Sequence, residues 1–129
     1  MTIQEAIEAR HSVRAYKDQP LSEEIVKVLE DEIVKLNNEG QLHIQLICNE
    51  PKAFQGMLAK YGKFRNANNY IVMAGKAASK REDSKTRFDS PEREQVRTKF
   101  KAEDLDERVG YYGEHLVLLA QTLGLNTCW

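Results

Sequence analysis

Apolar residues recur at helical spacing in three stretches of the chain and alternate with polar ones in a fourth. Ile3, Ala6 and Ile7 form one face of a first helix, opened by Thr2 and Glu5 as a T-x-x-E capping box. This helix should stop between Ala9 and His11, ahead of an irregular stretch from Ser12 to Leu21. Ser22 then caps a second helix whose first turn carries Glu23 and Glu24, where the helix dipole favours acids. Ile25, Leu29, Ile33 and Leu36 mark its buried face, and Gly40 is the expected stop. Leu42, Ile44, Leu46 and Cys48 alternate with His43, Gln45 and Ile47, which predicts a strand with one buried face. Pro51 suits the first position of a short helix carrying Phe54, Met57 and Leu58. Asn69–Ala74 is β-branched and aromatic, closed by Gly75, and predicts a second, well-buried strand. The strongest periodicity comes last: Leu105, Val109, Tyr112, Leu116, Leu119 and Leu123, after a D-x-x-E start at Asp104 and Glu107. Gly110 and Gly113 interrupt that helix and suggest close approach of a neighbour; Gly124 ends it, and Asn126–Trp129 opens an extended segment.

The 129 residues make a single domain. It closes on an apolar strand opening, whereas terminal residues are usually polar and frayed, so the domain over 1–129 is expected to be C-terminally incomplete. Nineteen basic against twenty acidic residues give a net charge of -1, leaving no global field to hold nucleic acid or an anionic membrane. The longest apolar run, Leu116–Ala120, falls far short of the roughly 20 residues that cross a bilayer. With no export signal at the N-terminus, a cytoplasmic location is expected, with Cys48 and Cys128 as two reduced thiols. Between Lys76 and Arg108 the character changes: ten basic and nine acidic residues are interleaved without a glycine. Such a mixed-sign run attracts phosphate little, so residues 76–108 are read as a charged insertion or lid, not a nucleic-acid arm.

The sharpest local chemistry is Arg10-His11-Ser12-Val13-Arg14, where two guanidiniums and a hydroxyl fall within five residues as a helix ends. Planar guanidinium forks and a serine hydroxyl are suited to chelating a phosphate, although arginine at a helix C-terminus is also favoured by the dipole alone. Followed by Ala15-Tyr16 and Pro20-Leu21-Ser22, this cluster resembles the R-x-S-x-R-x-[FY] opening of the nitroreductase family of flavoproteins. Gly113–Trp129 is similar to that family's central helix running into a G-L-x-T-C-W strand, in the expected order and context. The likeness is to a compact subgroup, and Asn37–Gln41 stands where the family ordinarily carries a polar Pro-Trp-containing stretch.

This resemblance implies an α+β fold with a mixed or antiparallel central sheet flanked by helices, in an intertwined homodimer binding FMN at the subunit interface. Carried over by position, Arg10 and Ser12 would contact the FMN phosphate and ribityl chain with His11 beside them, and Arg14 would lie nearer the pyrimidine edge. A cation there favours the charge that accumulates on a reduced ring. The loop Tyr61–Asn66 is a candidate to line the ring. The implied activity passes electrons from NAD(P)H to a nitroaromatic, quinone or similar small-molecule acceptor by a ping-pong mechanism, so no catalytic side chain is assigned. A non-catalytic flavin-binding or dimeric interaction module is the alternative.

Other residues read as structural. His43 and His115 have no acid or cysteine at ligand spacing and are expected at the surface or half-buried, with no metal site. Tyr111 and Tyr112 are expected as rim and core aromatics, Trp129 as core, and Cys48 as an inert core thiol. Gly110-x-x-Gly113 lies inside a helical pattern and is no dinucleotide fingerprint.

Overall fold

The computed structural model describes residues 1–55, 64–76 and 104–129. In chain order these contain α1 (Ile3–Ala9), α2 (Glu23–Gly40), β1 (His43–Ile47), β2 (Tyr70–Ala74) and α3 (Leu105–Thr122). Most of the charged segment 76–108 lies outside the described residues, as do Met57, Leu58 and Tyr61–Lys63. Residues 51–55 form turns, so the helix expected from Pro51 does not begin there.

The helix boundaries follow their caps. Thr2 Oγ1 accepts the Glu5 N–H at 3.1 Å while the Glu5 carboxylate accepts the Thr2 N–H at 2.7 Å, completing the capping box of α1. Ser22 Oγ accepts the Ile25 N–H at 3.3 Å and opens α2. Asp104 occupies the N-cap of α3 but makes no side-chain capping bond, so the D-x-x-E pattern marks the start of that helix without forming a box. At its other end, Gly124 takes a φ of +81°, its N–H reaches the Gln121 carbonyl at 3.1 Å, and the Leu125 N–H reaches that of Ala120 at 2.9 Å. These two bonds make a Schellman closure, in which a left-handed glycine lets the last carbonyls find donors.

Gly40 ends α2 for a different reason from the one expected. The left-handed residue there is Gln41, with φ 53°, and Gly40 is still helical. What Gly40 supplies is space: a Cβ built on it would stand 2.8 Å from Cδ2 of Tyr112, so the ring lies flush against the helix backbone. A glycine chosen for contact is indistinguishable in sequence from one chosen for φ.

The core gathers Ile33 and Leu36 of α2, Leu42 and Ile44 around β1, and Tyr112 and Leu116 of α3. Leu46, Ile71, Met73, Leu105 and Val109 pack against it half-buried. The stripe predicted for the last helix is therefore its packing face, which contacts α1, α2 and β2. Burying each such large aliphatic side chain contributes about 1.5–3 kcal/mol.

Among the described residues the sheet has two strands, β1 and β2, antiparallel, with His43 opposite Ala74 and Ile47 opposite Tyr70. The α+β class holds with helices against the sheet, but β2 is not well buried: Val72 is 40% exposed and Ala74 is also exposed. A strand paired along one edge and packed on one face exposes its alternate residues. The other edge of β1 is closed by a side chain: Asn37 Oδ1 accepts the Ile44 N–H at 2.7 Å and Asn37 Nδ2 donates to the Ile44 carbonyl at 3.0 Å. The carboxamide takes the place of a neighbouring strand at that position, which gives the unusual Asn37–Gln41 stretch a structural role.

Among the described residues, Arg108 is the buried charged one. It projects from α3 with 8% exposure and donates from Nη1 to the carbonyls of Gly40, at 2.8 Å, and Gln41, at 3.4 Å. A cation at the C-terminal end of α2 meets the negative pole of the helix dipole as well as two carbonyls.

Candidate functional site

The segment carrying Arg10, His11, Ser12 and Arg14 leaves α1 in extended backbone, beginning with Arg10 at φ -68° and ψ 138°. Two parallel bridges hold it, Ser12 with Thr127 and Ala15 with Arg65. The Val13 N–H donates to the Thr127 carbonyl at 2.9 Å. The Arg65 N–H donates to the Arg14 carbonyl, and the Tyr16 N–H to the Arg65 carbonyl, both at 2.9 Å. Thr127 and Arg65 thus lie on opposite edges of one extended segment. Asn66 Nδ2 donates to the Tyr16 carbonyl at 3.0 Å, and Asn68 Nδ2 to Asp18 at 3.1 Å, extending the clamp.

Arg10, Ser12 and Arg14 fall at i, i+2 and i+4, the spacing of side chains that share one side of extended backbone. Ser12 and Arg14 are exposed, and Arg10 is partly covered by α3. Two guanidiniums and a hydroxyl on a backbone bridged to two neighbouring segments are donors of the chemistry that suits an anion, on a backbone whose conformational freedom is already reduced. His11 is exposed and its Nδ1–H donates to the Ala9 carbonyl at 3.1 Å, which turns it back on α1 and away from the other three.

The partners of this segment are residues that local pattern does not single out. Tyr16 donates its hydroxyl to the Val13 carbonyl, three residues back along the segment. Burial pushes the Tyr16 phenol above its ordinary range, the neighbouring Cys128 thiol adds to this, and the Arg14 guanidinium opposes it. Glu114 of α3 places Oε1 4.0 Å from Arg10 Nε, and its Oε2 accepts the Trp129 indole N–H at 3.1 Å. Trp129 is 61% exposed, contrary to the expected core position, yet one part of its ring rests on the bare backbone of Gly113. Gly113 fulfils the predicted close approach; nothing lies within 4 Å of a Cβ built on Gly110.

A cleft of about 260 Å³ runs beside Arg65, lined by Phe54, Phe64, Asn66 and Asn68 among others. Phe54 stands 5.5 Å from Phe64 and 5.3 Å from Tyr70 by ring centroids, the latter edge to face. Of the loop Tyr61–Asn66 proposed to line a ring, Phe64, Arg65 and Asn66 are described and all three line this cleft.

The remaining candidates take structural places. His115 is exposed and pairs with Glu32 at 3.0 Å across α2 and α3, and His43 is exposed on β1. Tyr112 is in the core while Tyr111 is 70% exposed, their rings edge to face at 5.0 Å. Cys48 and Cys128 are free thiols, both half-buried. Burial, reinforced by the Glu30 carboxylate, pushes the Cys48 thiol up, which disfavours the reactive thiolate. Among the described residues no group of His, Cys, Asp and Glu gathers as for a metal ion, and no helix is long and apolar enough to cross a membrane.

The two segments that converge at Ser12 and Thr127 are also those that carried the resemblance. The family model described as "Putative TM nitroreductase" matches residues 2–89 and 94–129, which include both. The chain belongs to the nitroreductase family. No protein among the curated ones matches it. Family membership makes the chain an oxidoreductase of nitroreductase type, and it explains why two distant motifs occur together: they build one edge-to-edge assembly.

Proposed function

We propose that this nitroreductase-family chain is an FMN-dependent oxidoreductase that passes electrons from NAD(P)H to a nitroaromatic, quinone or similar acceptor, acting as a homodimer. The observation that carries the reading is the clamped segment, which holds Arg10, Ser12 and Arg14 at alternate positions of a backbone bridged to Thr127 and Arg65. The donor set fits the cofactor's phosphate, since two cationic forks and a hydroxyl match its charge and its acceptor oxygens. Arg10 and Ser12 would bind the phosphate and ribityl chain, with Arg14 toward the pyrimidine edge. His11, bonded to Ala9, flanks the phosphate without gripping it.

Bound FMN would supply the hydride and electron chemistry. The protein's own part is to bind, orient and shield. Arg14, exposed beside the half-buried Tyr16, offers a positive charge that stabilises negative charge placed near it. One site serving both half-reactions leads to ping-pong kinetics. Exposed apolar residues on α1 and α3, Ile3, Ile7 and Tyr111, support assembly with a second copy.

An FMN titration of the purified chain, followed by quenching of flavin fluorescence, tests the reading. Saturation at one FMN per subunit is expected, with NAD(P)H oxidation when a quinone or nitroaromatic is added. Arg10→Ala with Ser12→Ala should weaken FMN binding by one to two orders of magnitude, by loss of charge-assisted hydrogen bonds. Unchanged affinity in that variant would remove the phosphate assignment. FMN binding without turnover would favour the non-catalytic module.

A further inference from the structure

We infer that Glu114 is a positioning residue that aims Arg10 at the phosphate of a bound flavin nucleotide. This rests on the assignment of Arg10 to that phosphate. One carboxylate oxygen is held by a hydrogen bond and the other faces the arginine: Oε2 accepts the Trp129 indole N–H at 3.1 Å, and Oε1 lies 4.0 Å from Arg10 Nε, an ion-pair distance. Glu114 sits on α3, an 18-residue helix that packs on α1, α2 and β2, and Trp129 is seated against Gly113 one residue before it. The carboxylate is therefore anchored to a rigid element before it meets the arginine.

The way it meets the arginine matters. The carboxylate faces Nε, the inner nitrogen of the guanidinium, an approach that does not itself consume the fork of terminal Nη groups suited to phosphate oxygens. Arginine carries several freely rotating bonds, and a fixed carboxylate beside Nε biases them toward the rotamers that face it before ligand arrives. A carboxylate this close also repels an anion. With side-chain exposures of 26% for Arg10 and 43% for Glu114, solvent screens that repulsion, and orientation is the larger effect. No sequence pattern points to this residue: Glu114 is one acid among many until Arg10, Trp129 and Gly113 are brought together.

The test compares FMN with riboflavin, which lacks the phosphate, by flavin fluorescence quenching on the full chain. Glu114→Gln keeps an oxygen to accept the indole N–H but removes the charge that holds Arg10. FMN affinity should fall about threefold to tenfold in this variant while riboflavin affinity stays level. In an Arg10→Ala background, Glu114→Gln should have no further effect on FMN. Equal losses for both flavins, or an undiminished effect in the Arg10→Ala background, would overturn the inference while leaving the flavin reading intact. A wild-type chain that binds neither flavin would end both together. Trp129 is the chain's one tryptophan, so its emission in the ligand-free variants reports whether the indole has kept its seat.

Discussion

Gly113 lies directly beneath the indole of Trp129, so closely that a methyl carbon on Gly113 would stand 2.7 Å from Cζ2 of the ring. The absence of a side chain at one residue thereby fixes the position of the largest side chain in the protein. Gly113→Ala should lift the indole and break its bond to Glu114, at a cost of about 1–3 kcal/mol for the overpacking, partly offset by better helix propensity. Gly110→Ala provides the control. It is exposed in the same helix with nothing within 4 Å, and should stabilise by about 0.5–1 kcal/mol. Urea midpoints of the two variants should move in opposite directions, and Trp129 emission should change only for Gly113→Ala.

Asn37 predicts a second effect. Its carboxamide serves both backbone groups of Ile44, so Asn37→Ala leaves a donor and an acceptor at the edge of β1 without their partner. A loss of about 1–3 kcal/mol is expected. Asn37→Asp keeps the acceptor and loses the donor, placing a carboxylate against the Ile44 carbonyl, and should be no milder. Amide exchange at Ile44 is the direct readout, and protection unchanged in both variants would rule the pairing out.

Arg108→Met keeps much of the aliphatic volume but strips the Gly40 and Gln41 carbonyls of their cationic donor. We expect a loss of about 2–4 kcal/mol with an unchanged denaturant slope, since the fold's compactness is retained. An unaltered midpoint would mean that water serves those carbonyls equally well.

The capping box gives a pH dependence with a definite sign. The backbone and side-chain bonds to Thr2 hold the Glu5 carboxyl below its ordinary 4.5. A carboxyl whose value is lower in the folded state contributes stability that is fully present above pH 4.5 and is lost as pH falls through the lowered value. Protection of α1 amides should therefore fray in acid, and Glu5→Gln should remove that part of the acid dependence. Fraying equal in wild type and variant would contradict it.

Helix positions were legible because their signals are local. Thr2 with Glu5, Ser22 and Gly124 act within four residues of themselves, and the stripes from Ile25 and Leu105 report one buried face each. The family could be read for a similar reason, since its two motifs are each contiguous in the chain. What stayed hidden depends on contacts between distant residues. Arg108 reads as part of a solvated charge run, because a buried arginine differs from an exposed one only in its partners, here Gly40 and Gln41. Trp129 reads as core by hydrophobicity, whereas a single glycine-sized seat and one hydrogen bond leave most of it in solvent. The degree of burial of β2 depends on how many strands flank it, which its own composition does not encode.

Ser12 and Thr127 are neighbours in space although nearly the whole chain separates them. Closing so long a loop is entropically slow, and nothing nearby in sequence compensates until the ends have met. The segment bearing Arg10, Ser12 and Arg14 therefore keeps its bridge to Thr127 only while the two ends of the described chain are joined. A ligand that gripped that segment only in its joined form would hold the two ends together, and its concentration would add to the stability of the domain by about 2.7 kcal/mol at a hundred times its dissociation constant.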